Sequence, residues 1–186
     1  MAVAFTRRTF TVHDYARMRE TGILTEDERV ELIDGEIRNM SPIGPQHAAI
    51  VSKIVKLLPQ QVQDTAIVSP QNPVRLTDNT EPQPDIAVLH YRDDFYGAAH
   101  PTADDILLVI EVADTTLTYD REEKVPRYAA AAVPEVWIVN IPEQLVEQYT
   151  LPVRGQYTQL RKILLGDDII ATNLASVTIN TLYILG

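Results

Sequence analysis

The chain contains no cysteine, which excludes disulfides, thiolate zinc sites and cysteine nucleophiles together. That absence is compatible with a cytoplasmic setting, and we expect one. Glycine is sparse, at seven residues, and no Gly-rich phosphate loop and no G-x-S-x-G occurs. Nucleotide hydrolysis and α/β-hydrolase chemistry therefore lack their usual marks. The four histidines, His13, His47, His90 and His100, never fall at i, i+4 spacing, so there is no zincin motif. No apolar run approaches the roughly 20 residues that a membrane helix needs, and the best, Ile106–Val112, is strand-sized. At the start, Arg7 and Arg8 follow the short apolar stretch Met1–Phe5, the wrong order for a secretory signal. Positive charge is scarce too. Sixteen Lys and Arg against 26 acids leave a net charge of −10. Proteins that hold nucleic acid by its phosphates normally carry a basic footprint, so affinity for DNA would need a local patch. Its candidates are Lys53, Lys56, Arg75, Arg92, Lys124 and Arg127. A site that gathers carboxylates helps to produce the acidic balance, although solubility explains it as simply.

What is present reads as one mixed α/β domain over residues 1–186, with a hydrophobic fraction of 45% and a charged fraction of 23%. Thr11 opens a helix, with Asp14 as its capping-box acid and Gly22 as its stop. Residues 29–40 form a hairpin around Asp34-Gly35, a dipeptide suited to a tight turn. A helix runs from His47 to Val62, with Ile50, Ile54 and Leu58 on its apolar stripe. Short strands follow at Ala66–Val68 and Ile86–Leu89. The continuous apolar run Ile106–Val112 has the signature of a strand buried on both faces. A second helix lies within Arg121–Ala132 and a strand at Val136–Val139. Leu145–Tyr149 and Tyr157–Leu165 are the arms of a hairpin around Arg154-Gly155. Residues 166–186 give short strand-like pieces.

Carboxylates stand where strands should be apolar. Glu111 sits near the end of the apolar run, and an isolated buried carboxylate is costly unless it is paired or bound to metal. A strand that simply emerges into solvent there explains it equally well. Asp85, behind Pro84 at the head of the Ile86–Leu89 strand, has the same ambiguity. If the two strands are neighbours, both carboxylates can reach one hard cation. Lys124 supplies a third piece, able to orient or deprotonate water and to stabilise developing phosphate charge. An exposed helix lysine in the charged run DREEK, capped by Asp120 and Glu123, is the simpler alternative. Gln71 lies between prolines and reads as a turn residue, and Trp137 and Tyr128 read as core aromatics.

Five segments, ELIDGEI (31–37), SPIGPQH (41–47), QPDIAVL (83–89), LLVIEV (107–112) and YDREEKVPRYAAAAVPEVWIVN (119–140), follow the order and spacing of a known family. The chain resembles the Uma-two-type restriction endonuclease family of the PD-(D/E)XK nuclease superfamily. The likeness covers most of the chain and is weakest before residue 25 and after residue 150. It implies a restriction-endonuclease-like αβββαβ core, here with an N-terminal helix and hairpin and C-terminal β-strands. It also implies that Asp85 and Glu111 bind Mg²⁺ (or Mn²⁺). Ala113 stands where the superfamily has a lysine two residues after that Glu, and Lys124 on the following helix matches the lysine thought to substitute. By resemblance Glu31 and His47 face the same cleft. Three positions depart from the pattern. Pro126 falls two residues after Lys124, Ala132 stands where the family prefers a helix-ending Gly, and Asn140 where it prefers Asp.

The expected function is a metal-dependent DNA endonuclease that hydrolyses phosphodiester bonds, with Asp85, Glu111 and Lys124 as its catalytic set. DNA is then the partner, a homodimer the expected assembly, and no membrane is involved. The alternative is a catalytically inactive nuclease-fold domain acting in protein–protein interaction, with the 145–165 hairpin exposed.

Overall fold

The computed structural model describes residues 7–25 and 27–186. The reading of Met1–Phe5 lies outside the described residues. Helix α1, Val12–Glu20, opens on a complete capping box in which Thr11 and Asp14 satisfy each other's backbone amides. Strands β1, Val30–Ile33, and β2, Glu36–Asn39, pair antiparallel around Asp34 (φ 50) and Gly35 (φ 78). A side chain at 35 would also meet Thr9 Cβ at 2.5 Å, so Gly35 is required twice over. The hairpin is tied down by reciprocal backbone hydrogen bonds between Leu32 and Glu81. It therefore docks beside the segment that leads into Pro84-Asp85.

Helix α2, Pro45–Val62, begins two residues before the His47 start expected from sequence, because a proline is tolerated in the first turn. A six-stranded sheet follows in the order β3-β4-β5-β6-β7-β8. Its members are β3 (Ala66–Pro70), β4 (Ile86–His90), β5 (Ile106–Ala113), β6 (Glu135–Asn140), β7 (Leu145–Val153) and β8 (Gln156–Leu164). All neighbours are antiparallel except β5 and β6. That parallel pair is joined by a helical crossover, α3 (Leu117–Tyr119), a π turn (Asp120–Lys124) and α4 (Val125–Ala130). The order α2-β3-β4-β5-crossover-β6 is the αβββαβ core.

Each sheet face buries its own core. Ile50, Ile54 and Leu58 of α2 pack on Ile86, Val88, Ile110 and Trp137. On the other face Val125 and Tyr128 of the crossover region pack on Ala87, Val109, Val136 and Ile138. Strand β5 is buried along nearly its whole length, as its unbroken apolar run requires. Two expectations need correction. The helix placed within Arg121–Ala132 starts earlier, at Leu117, so Asp120 and Glu123 lie inside it and do not cap it. The tail is not strands alone. After the pair β9 (Asp168–Ile170) and β10 (Thr178–Asn180) it ends in helix α5, Thr181–Leu185, for which Asn180 is the N-cap.

Candidate active site

Register brings the two strand carboxylates together. Strands β4 and β5 pair antiparallel with Ile86 opposite Ile110. One step further along, Asp85 stands opposite Glu111, so both side chains leave the same face of the sheet. Glu111 Oε2 lies 3.4 Å from the Asp85 amide, and Asp85 Oδ2 accepts a hydrogen bond from the Val112 amide at 2.8 Å. His47, in the first turns of α2, places Nε2 3.0 Å from the same Asp85 oxygen. They open into a cleft of about 320 Å³, walled by the β1–β2 hairpin, the 40–44 loop and the crossover, and lined also by Glu31, Tyr119, Asp120 and Lys124.

Lys124 enters this cleft through the π turn. Pro126 has no N–H to give to the preceding turn, and its ring would clash there in a regular α-helix. Widening the chain over Asp120–Lys124 puts Pro126 in the first turn of α4, where no donor is needed. The i→i+5 pitch also aligns Tyr119 with Lys124, and both line the cleft. Lys124 is consequently 5% exposed and not the solvated helix lysine that the charged run DREEK allowed. Its Nζ lies 3.2 Å from Glu111 Oε1 and 3.4 Å from Glu31 Oε2. The Pro126 departure thus turns the lysine inward.

Negative charge dominates the site. Glu31, Asp85, Glu111 and Asp120 surround the single ammonium of Lys124. Burial pushes the Glu111 carboxyl up to about 8, opposed by Lys124 and reinforced by Asp120 and Asp85. Burial likewise lifts Asp120 to about 6, against Lys124 and the Thr116 hydroxyl. Burial works against the Lys124 charge as well, but the surrounding carboxylates outweigh it and hold the amine well above its ordinary range. Tyr128 is fully buried and donates its hydroxyl to Glu111 Oε1 at 2.7 Å. It is therefore part of the site and not only a core aromatic. Tyr119 donates to Glu31 Oε1 at 2.9 Å.

The donor set fits a small hard cation. Among the described residues no group of three or more His, Asp or Glu could hold a metal ion. Mg²⁺ does not require one, since it keeps several waters and is commonly bound by one or two carboxylates plus substrate phosphates. Asp85 and Glu111, side by side, supply two, and a divalent charge beside them would offset the excess of acids.

The other sequence candidates are placed elsewhere or are occupied. Gln71 (φ 51) is a turn residue whose carbonyl accepts from Gln83 at 2.6 Å. Trp137 packs in the α2-side core. Of the basic candidates, Lys124 is buried, while Arg75, Arg92 and Arg127 pair with Asp78, Asp94 and Asp34. Lys53 reaches the Gly186 carbonyl, and Lys56 is exposed. The residues that sequence reasoning missed in the site are Tyr119, Asp120 and Tyr128. All lie within the 119–140 segment, on the crossover that also carries Lys124.

Strand order, crossover and paired carboxylates define a restriction-endonuclease-like α/β protein. The chain belongs to the Uma2 family, described as "Putative restriction endonuclease", whose model matches residues 12–181. In fold it is similar to a solved structure from Anabaena variabilis, "a putative nuclease belonging to DUF820". The TM-score is 0.72 at 16% sequence identity, over 95% of this chain and 97% of that one. No functionally curated protein matches the chain. Among the described residues no helix is long and apolar enough to cross a membrane.

Proposed function

We propose that the protein is a divalent-metal-dependent DNA endonuclease that acts as a single domain over residues 1–186. Asp85 and Glu111 would hold Mg²⁺ or Mn²⁺. The ion, when bound, supplies positive charge against the phosphate and lowers the pKa of water. Lys124 would contribute its ammonium, held 3.2 Å from Glu111 Oε1 and 3.4 Å from Glu31 Oε2. Its ammonium can stabilise charge that develops on the phosphate during hydrolysis. His47 steadies Asp85 through the 3.0 Å contact to its Oδ2. The observation that carries the reading is the direct approach of Lys124 Nζ to Glu111 in a cleft that also presents Asp85. The family's own description supports the reaction class. The lack of cysteine fits action in a reducing cytoplasm, where DNA is at hand.

Plasmid cleavage by wild type and by Glu111→Ala, with Mn²⁺ and at low salt, tests this. The wild type should nick the plasmid, and the variant should be slower by about 100-fold or more. A wild type without Mn²⁺-dependent cleavage, or a variant with equal activity, would overturn the proposal. In either case a second reading, a nuclease-fold interaction domain, gains. It has support of its own in the exposed apolar residues Leu151, Val153, Leu160 and Leu164 on the terminal hairpin, 50% exposed or more. Strand β8 is the sheet edge there, and a homodimer would cover it.

A further inference from the structure

Lys124 touches two buried glutamates, and hydrogen bonding gives them different freedoms. Glu111 Oε1 is taken by the Tyr128 hydroxyl at 2.7 Å and the Lys124 ammonium at 3.2 Å. Among the described residues its Oε2 meets only the Asp85 amide, at the long distance of 3.4 Å. That oxygen remains beside Asp85, facing the cleft. Glu31 has no such oxygen to spare. Tyr119 occupies its Oε1 at 2.9 Å, while its Oε2 accepts from the Gln83 amide at 3.0 Å and lies 3.4 Å from Lys124. The Gln83 amide belongs to the turn Gln83-Pro84-Asp85, so Glu31 fixes the backbone that presents Asp85.

We infer that the two tyrosines divide the work between the glutamates. Tyr128 is a positioning residue that turns one oxygen of Glu111 toward a metal. Tyr119 commits Glu31 to holding Lys124 and the Asp85 turn, and Glu31 is not a ligand. The inference rests on the proposed metal site. Groups that orient ligating carboxylates typically cost 10–100-fold in metal affinity when removed.

Mn²⁺ binding by calorimetry on the full chain separates the roles, with folding checked by thermal melting. Glu111→Gln should abolish binding and Tyr128→Phe should weaken it about 10–100-fold. Tyr119→Phe should stay within about threefold of wild type, whereas Glu31→Gln, which removes no ligand but loosens the backbone that presents Asp85, should weaken binding about 10–100-fold without abolishing it. A folded Tyr128→Phe with wild-type affinity, or a Glu31→Gln that loses Mn²⁺ as fully as Glu111→Gln, overturns the inference. A wild type that binds no Mn²⁺ sinks the nuclease reading instead. The positioning claim then rests on crystal structures of Tyr128→Phe and Glu31→Gln. A Glu111 carboxylate and an Asp85 turn left in place would overturn it, and displacement of both would sustain it.

Discussion

Glu111 and Glu147 occupy one row of the sheet, each directly opposite Ile138 on the strand between them. Both are buried, and both receive a cation from the same crossover, Lys124 for one and Arg121 three residues earlier for the other. Their surroundings are nonetheless opposite. Around Glu147, the guanidinium of Arg121, the Tyr149 hydroxyl and the Asn140 amide all donate, with Glu143 completing the Arg121 shell. Burial raises the Glu147 carboxyl, but these donors outweigh it and hold it below its ordinary range. Around Glu111 one ammonium and one hydroxyl face three further carboxylates, and burial wins. One row of strand positions thus carries a satisfied network and a site in which a single ammonium is outnumbered by carboxyl groups. The satisfied one is architecture, and the other is where the proposed metal ion would have something to do.

The same substitution at the two glutamates should have opposite signs without metal. Glu147→Gln removes the charge to which Arg121 is tied. It should destabilise the fold by about 1–3 kcal/mol, below the usual cost of breaking a buried pair because Arg121 is partly solvated and keeps Glu143. Glu111→Gln replaces a carboxyl that burial already keeps from ionising and leaves Lys124 three carboxylates, so its effect should lie between neutral and about 1 kcal/mol stabilising. Urea midpoints at neutral pH decide it, and equal losses at both positions would erase the distinction.

Acidity offers a second way to break the comparison. In the folded chain Glu111 and Asp120 keep protons up to about 8 and about 6. Unfolded, they release them near ordinary carboxylate values. The native state therefore binds more protons over this window, so metal-free stability should fall as pH rises from about 5 to about 8. Glu147 works the other way. Its lowered pKa stabilises the fold above the ordinary carboxylate range and is lost only in more acidic solution. Denaturation at about pH 5.5 and pH 8 should show the wild type more stable at the lower value, by roughly 1–3 kcal/mol, with much of the gap gone in Glu111→Gln. A pH-independent wild type would contradict the charge imbalance.

The sheet was legible because its signals are local. The unbroken run at 106–112 and the turns Asp34-Gly35 and Arg154-Gly155 each settle in a few residues, and the structure carries all of them. The neighbourhood of Asp85 and Glu111 was legible only with the family's motif order, since register between β4 and β5 is a long-range property. Least legible was the crossover. Charged DREEK ahead of a proline reads as an exposed helix start. In the fold the π turn buries both Asp120 and Lys124, and no periodic pattern announces a widened turn. Tyr128 failed for a related reason, since a fully buried aromatic looks the same in sequence whether its hydroxyl has a task or not.

The smallest predicted effect acts on the segment that both cations share. After α4 the chain stops in a Schellman arrangement, with the Val133 amide donating to the Tyr128 carbonyl at 3.0 Å and the Ala132 amide to the Ala129 carbonyl at 3.1 Å. Val133 and Tyr128 belong to the same apolar cluster, completing the motif. Its left-handed position is Ala132, at φ 58, where an L side chain costs about 1–2 kcal/mol and glycine costs none. Glycine loses part of that advantage, because its unfolded chain is freer by about 0.4–1 kcal/mol. Ala132→Gly should therefore stabilise the protein by roughly 0.5–1 kcal/mol, seen as a higher urea midpoint with unchanged slope. It touches neither Lys124 nor Arg121. If it also altered Mn²⁺ affinity, the difference between the two glutamates would reflect the stability of their common helix and not the charges around them.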